Sequence, residues 1–149
     1  MATVRGFEFP DDLLYLMEQD TWVRLDGDGM VTIGLTSLGA HISGEFIEFM
    51  AKPVGESIER DRALGMLEMS KVIRSARSPV SGVLVATNEL VRAAAGLINR
   101  DPYGKGWLVR LRPTAWESDA RLLVTGAAIA PAVQAYMALL AETFSENPP

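Results

Sequence analysis

From residue 13 to residue 111 the chain repeats one arrangement: short apolar or alternating runs of strand length, separated by clusters of Gly, Pro, Asp, Asn and Ser. Residues 13–17 are apolar and bounded by Glu18-Gln19-Asp20, which predicts a strand. Residues 21–25 alternate, with Trp22 and Arg24 on one face and Val23 and Leu25 on the other. Asp26-Gly27-Asp28-Gly29 then supplies the positive φ angles of a tight turn, so residues 21–35 read as a hairpin, with Trp22 a packing residue. Thr36 and Ser37 cap a short helix through Ile42, closed by Gly44, which leaves His41 on its surface. Residues 45–50 alternate Phe46 and Glu48 with Ile47 and Phe49, and Lys52-Pro53-Val54-Gly55 ends that strand. Residues 1–9 carry no strong pattern and are expected to form an arm ending at Pro10.

Residues 56–62 are polar with Ile58 inward, and residues 63–69 form an apolar strand. That strand runs into Leu67-Glu68-Met69-Ser70-Lys71-Val72-Ile73-Arg74, and Ser78-Pro79-Val80-Ser81-Gly82 breaks the run after it. One lysine thus lies between two apolar runs of strand length, which predicts a β-hairpin with Lys71 at its tip, pointing into water. Taken alone, such a lysine is a solvated turn residue. Beyond it come a strand at 83–85, a helix capped by Asn88-Glu89 and running through Leu97, a turn-rich stretch at 101–106 and a last strand at 107–111. These short strands predict a mainly β fold, an antiparallel β-sandwich or flattened barrel with short helices. The C-terminal part changes period. A brief helix is expected over 120–125, ended by Gly126. With Pro131 as first helical residue, Val133, Tyr136, Met137, Leu140 and Phe144 then fall on one helical face, read as a packing face, and residues 145–149 are expected to fray.

Composition narrows the function. A chain of 149 residues, 48% hydrophobic and 22% charged, suits one soluble domain spanning residues 1–149, with a core at about 13–113 and a C-terminal helical segment at about 118–145. Nineteen acidic against 14 basic residues oppose attraction to nucleic acid or to an anionic membrane surface. With no signal-type N-terminus and no apolar run long enough to span a bilayer, a cytoplasmic location is expected. The lack of cysteine excludes disulfides, thiolate metal sites and cysteine nucleophiles, and the single His41 excludes any site needing two imidazoles. No nucleophile, base and orienter can be named, and Gly104 and Gly106 precede a strand, the wrong setting for a dinucleotide. As an enzyme in its own right the chain is a poor candidate, and any thiol chemistry must arrive with a prosthetic group.

Several separated segments, in one order, carry a family resemblance. Glu68-x-x-Lys71, with Pro79 and Gly82 after it, resembles the lipoyl-lysine hairpin of the glycine cleavage H protein family. Trp22-Val23-Arg24 and Gly29-Met30-Val31-Thr32-Ile33-Gly34-Leu35-Thr36 are similar to that family's Trp-Val-Arg and Thr-Ile-Gly-Ile-Thr strands. Asn99-Arg100-Asp101-Pro102-Tyr103-Gly104-Lys105-Gly106-Trp107 is similar to its Asn-x-x-Pro-Tyr-Gly-x-Gly-Trp segment. The resemblance implies a fold of the barrel-sandwich hybrid type and covalent lipoate on Lys71, with Glu68, Ser70 and Val72 recognised on the hairpin. It also implies a lipoate ligase or lipoyl transferase as modifying partner. Biotinyl carriers flank their lysine with methionines, whereas Ser70 and Val72 stand here, and no serine opens a helix as a phosphopantetheine site requires.

The departures bear on cargo. Where the family has a His-Glu pair before the tryptophan this chain has Asp20-Thr21, and where an acid follows the lysine by four it has Ser75. Arg74 and Arg77 lie in that neighbourhood, so Asp20, Thr21, Arg74, Ser75 and Arg77 form the expected surroundings of the cargo. Their charge favours an anionic load; the alternative is that both arginines are solvated strand residues contributing little. The first reading is therefore a lipoyl carrier of sulfur intermediates, similar to the lipoate-binding proteins of sulfur-oxidising prokaryotes that work with a heterodisulfide-reductase-like complex. The alternative is a glycine cleavage H protein, carrying the aminomethyl group among glycine decarboxylase, aminomethyltransferase and dihydrolipoamide dehydrogenase. A third reading is an unmodified structural or binding protein on the same sandwich.

Overall fold

The computed structural model describes the backbone of residues 1–146 and the side chains through residue 142. The chain opens with β1 (Ala2–Val4) and β2 (Phe7–Phe9), followed by β3 (Leu14–Leu16), a 3₁₀ turn (Met17–Gln19), β4 (Thr21–Leu25), β5 (Val31–Leu35) and α1 (Ser37–Ser43). Next come β6 (Phe46–Ala51), β7 (Ser57–Ile58), β8 (Ala63–Met69), β9 (Ile73–Arg77) and β10 (Gly82–Thr87). The last elements are α2 (Glu89–Ala93), α3 (Leu97–Arg100), β11 (Val109–Pro113), α4 (Trp116–Ala120), a 3₁₀ turn (Gly126–Ala128) and α5 (Ile129–Glu146).

All strand pairs are antiparallel, in a six-stranded sheet ordered β3-β4-β5-β11-β10-β7, a three-stranded sheet ordered β6-β8-β9 and the β1-β2 hairpin. Alternation on β4 now has a structural meaning. Val23 faces the main core between the two larger sheets, with Ile33, Leu35, Phe49, Leu67 and Leu111, while Trp22 faces a second cluster with Phe9, Tyr15, Ile129 and Val133. Because both faces of this end of the sheet are covered, β5 is buried at every position. Trp22 is fixed as well as buried: its Nε1–H donates to the Leu35 carbonyl at 2.9 Å and the Pro102 carbonyl at 3.1 Å. Gly34 lies opposite it, where a Cβ would stand 2.6 Å from the indole.

The sandwich with its short helices and C-terminal helix matches the expected class. Five local expectations change. Residues 1–9 are a hairpin rather than an arm, since Arg5 and Gly6 both take positive φ and form its turn, which packs Phe9 into the second cluster. Strand β6 carries a bulge between Phe46 and Glu48, so Phe46 and Phe49 both face inward while Ile47 and Glu48 are both exposed. The helix after Asn88 breaks at Ala94, and α3 is a separate turn whose start lets Ala95 and Ile98 reach the core. Residues 120–125 are not a helix: α4 ends at Ala120, and Val124 exchanges two hydrogen bonds of 2.9 Å with Tyr15, occupying the outer edge of β3. Finally, α5 begins at Ile129, with Pro131 inside its first turn, where a missing N–H costs little. Val133 is buried and Tyr136 and Met137 pack on the second cluster, as the helical face predicts, while the side chain of Phe144 and all of residues 147–149 lie outside what the structure describes. Among the described residues, no helix is long and apolar enough to cross a membrane.

Candidate functional site: the Lys71 hairpin and its anchor

Strands β8 and β9 pair in one register from Glu68↔Ile73 through Leu67↔Arg74 and Met66↔Ser75 to Gly65↔Ala76, and a shift between Gly65 and Ala63 then sets Ala63 opposite Arg77. The Met69 N–H donates to the Val72 carbonyl at 2.9 Å, leaving Ser70 and Lys71 as the two tip residues. Ser70, Lys71, Val72 and Ile73 are all exposed, and no described residue makes an ion pair or side-chain hydrogen bond with Lys71. The chain holds three lysines, Lys52, Lys71 and Lys105, and all are exposed. Lys52 and Lys105 are bound to the body through their backbones, one donating to Leu64, the other donating to Asp101 and accepting from Asn88. Lys71 alone of the three stands at the end of a projecting ribbon.

Alternation divides the residues expected around the cargo. Arg74 lies on the inner face of β9 with buried Ala76, whereas Ser75 and Arg77 lie on the outer face, Ser75 opposite exposed Met66. Arg77 is occupied near the base of the hairpin, donating to the Asp61 carbonyl at 3.1 Å. Arg74 crosses instead to the start of β4: Nη1 donates to Ser43 Oγ at 3.0 Å and to Asp20 Oδ2 at 3.4 Å, and Nη2 to the Gln19 carbonyl at 3.4 Å. Asp20 takes the left-handed conformation at φ 63° that ends the 3₁₀ turn, and a Cβ on Gly39 of α1 would stand 2.3 Å from its own Cβ. Burial pushes its carboxyl up from the ordinary aspartate value, partly offset by the Tyr136 hydroxyl and the Arg74 charge. Its Oδ1 has no hydrogen-bond partner among the described residues, and neither has the hydroxyl of fully buried Thr21. Of the five expected cargo neighbours, the structure therefore brings together Asp20, Thr21 and Arg74, all facing inward, and turns Ser75 and Arg77 away.

Sequence reasoning did not find Ser43 or Tyr136 as parts of this cluster. Tyr136 was visible only as an apolar helical position, and nothing in its spacing shows which carboxylate its hydroxyl meets. The Asn99–Trp107 segment proves to be a clamp. Asn99 accepts from the Phe46 N–H at 3.0 Å and donates to the Gly44 carbonyl at 2.7 Å, while the Tyr103 hydroxyl donates to the Glu8 carbonyl at 2.7 Å and accepts from the Ser37 N–H at 3.1 Å.

The family model described as glycine cleavage H-protein matches residues 13–136, most of the chain and both strands of the lysine hairpin. The chain belongs to the glycine cleavage H-protein family. It is 34% identical over 128 residues to a glycine cleavage system H protein of Aquifex aeolicus, covering 83% of this chain and 86% of that one. To a probable H protein of Sulfurisphaera tokodaii it is 40% identical over 109 residues, covering 73% and 79%. Among solved structures, a glycine cleavage system H protein from Mycobacterium marinum superposes with a TM-score of 0.66 at 30% identity, covering 72% of this chain and 87% of that one. H-family proteins are carriers, not catalysts, and bear covalently attached lipoate. The residues present fit such a group, because the chain offers an exposed, unengaged amine, and the dithiolane would supply the thiol chemistry that a cysteine-free polypeptide lacks.

Proposed function

We propose that this protein is a lipoyl carrier of the glycine cleavage system, acylated on Lys71 by a lipoate ligase or lipoyl transferase. As a single carrier domain it would present its load in turn to glycine decarboxylase, aminomethyltransferase and dihydrolipoamide dehydrogenase. The observation that carries this reading is the Lys71 amine, exposed and without an ion pair among the described residues at the end of a two-residue turn, in a chain of H-protein sequence and fold. An anchor for a swinging arm must be held still relative to the body while its nitrogen stays reachable. The paired strands do the first, and the Arg74 contacts tie one of them to the β4 start, which makes Arg74 and Asp20 positioning residues. Glu68, Ser70 and Val72 surround the amine and are assigned to recognition by the modifying enzyme.

The anionic-cargo reading, with its sulfur chemistry and heterodisulfide-reductase-like partner, depends on free arginines. Arg74 is engaged by Asp20, Ser43 and Gln19, and Arg77 stands on the other face of its strand, so the glycine-cleavage reading has the better support. Coexpression with a lipoate ligase and intact-mass analysis tests the modification, and reconstituted glycine decarboxylation tests the pathway. A loaded protein that fails to support decarboxylation would return the cargo question to sulfur. A chain that gains no mass would be the unmodified binding protein.

A further inference from the structure

We propose that the outer face of the β6-β8-β9 sheet is the docking surface for the enzyme that acylates Lys71, a partner whose matching patch is apolar and sets cationic groups opposite Glu48 and Glu68. This rests on the reading of Lys71 as the loaded residue. The face consists of two cross-strand rows: Glu48, Glu68 and Ile73 next to the tip, then Met50, Met66 and Ser75. Ile73 is 54% exposed, Met50 41% and Met66 38%, and the β6 bulge adds Ile47 at 56%. Apolar groups gathered on one exposed face are unusual unless something covers them. The two carboxylates stand directly opposite one another on neighbouring strands, a destabilising arrangement, and neither forms an ion pair with a described residue.

The position of the amine selects the occupant. Acylation requires the carbonyl carbon of an activated lipoyl group, a mixed anhydride with a nucleotide phosphate, to come within bonding distance of Lys71 Nζ. The ammonium loses one proton, the C–N bond forms as the acyl–oxygen bond breaks, the phosphate leaves with the electron pair, and a second proton is released. An enzyme performing this step must cover the hairpin tip itself, whereas enzymes that later receive the arm can stand off by its length. The inner face of the hairpin is closed by Leu67 and Ala76 in the main core, so the outer face is what such an enzyme meets. A second copy of this chain is a poor occupant, because a two-fold contact sets Glu48 and Glu68 against their own equivalents in a chain of net charge −5.

The test loads the full-length unmodified protein with a lipoate–protein ligase, lipoate and ATP, following initial rates by intact mass. Glu48→Lys and Glu68→Lys are compared with Met50→Ser/Met66→Ser, and with Glu142→Lys on α5 as a remote control. Each charge reversal is expected to lower kcat/KM for loading about tenfold, mainly through KM and less so at high salt. Each also creates a cross-strand pair of opposite charge, so the melting temperature is expected to hold or rise, and loss of loading then cannot be blamed on unfolding. Enzyme-free acylation of Lys71 by the N-hydroxysuccinimide ester of lipoate should not change. Loading of the face variants at the wild-type rate would overturn the docking surface while leaving the carrier reading intact. So would an enzyme-free rate that falls in parallel, or concentration-dependent dimerisation abolished by the same substitutions with loading unaffected. If the wild-type protein gains no mass on Lys71, both fall.

Discussion

Replacing Arg74 with methionine keeps the length and apolar stem of the side chain and removes its charge and its donors to Asp20, Ser43 and Gln19. Removing one partner of a fully buried ion pair costs about 3–5 kcal/mol. Here the Arg74 side chain keeps 27% of its surface in water and the Asp20 contact is long at 3.4 Å, so about 1–2 kcal/mol is expected at neutral pH. The pH dependence identifies the cause. Burial already raises the Asp20 pKa in the folded protein, and loss of the guanidinium raises it further. A carboxyl with a raised folded pKa is not penalised below its unfolded pKa, where it is protonated in both states, and destabilises increasingly as pH rises through the folded value. Wild type and variant should therefore differ least near pH 3, by about 0.5–1 kcal/mol for the lost, partly exposed hydrogen bonds to neutral acceptors, and most at pH 7. Urea unfolding at both pH values measures this difference, and the Asp20→Asn/Arg74→Met double variant should lose its pH dependence. A deficit of the same size at pH 3 and pH 7 would refute the pairing as the origin of the effect.

Lys71→Arg should unfold within about 0.5 kcal/mol of wild type and gain no lipoate, because a guanidinium does not deprotonate to a nucleophile, while Lys52→Arg and Lys105→Arg should load normally; intact mass and thermal melting check both. Gly34→Ala forces a methyl against an indole fixed by two hydrogen bonds and is expected to cost about 3 kcal/mol in urea unfolding, with fluorescence reporting whether Trp22 moves. Arg110→Met removes a cation from Asp26; burial raises that carboxyl, but hydrogen bonds from Thr32, Arg24 and Arg110 hold it below the ordinary range overall. The stability this contributes is present above the unfolded pKa and lost as pH falls through the folded one. The variant should therefore be weaker by up to about 1 kcal/mol at pH 7 and converge with wild type in acid, as read by melting curves across pH.

What could be read from the amino-acid order follows the range of the interactions involved. The β4-β5 hairpin, the Thr36 cap and the lysine ribbon are set by neighbours in sequence, and each stands where the turn residues and alternation put it. Strand β6 shows the limit: Phe46 and Ile47 alternate, and so do Glu48 and Phe49, but the bulge between them depends on β8, so neither the expected pairing of Phe46 with Glu48 nor that of Ile47 with Phe49 on one face occurs. Val124 was misread because the edge of β3, more than a hundred residues earlier, offers backbone partners that a local helix would forgo. Local charge misleads around Lys71 for the same kind of reason. Counting arginines after Lys71 does not reveal that one strand sends Arg74 and Arg77 to opposite faces, nor that Asp20 waits across the sandwich for the first of them.

That division has a consequence for selectivity. An arm that visits several active sites cannot carry its own address, since each host enzyme sees the same dithiolane. Discrimination among carriers has to come from protein surface that an enzyme touches while the arm is inside it, or from the one reaction that requires the lysine itself. Around Lys71 the inner side chains are spent on rigidity: Leu67 and Ala76 are packed, and Arg74 is bound to Asp20. On the outer face only Arg77, at the base, is held in this way, by Asp61, whereas the side chains of Met66, Glu68, Ile73 and Ser75 form no hydrogen bond or ion pair with a described residue. Residues that hold the tip in place and residues available to be recognised thus alternate along the same two strands, and the pleat lets one hairpin serve both ends without either set compromising the other.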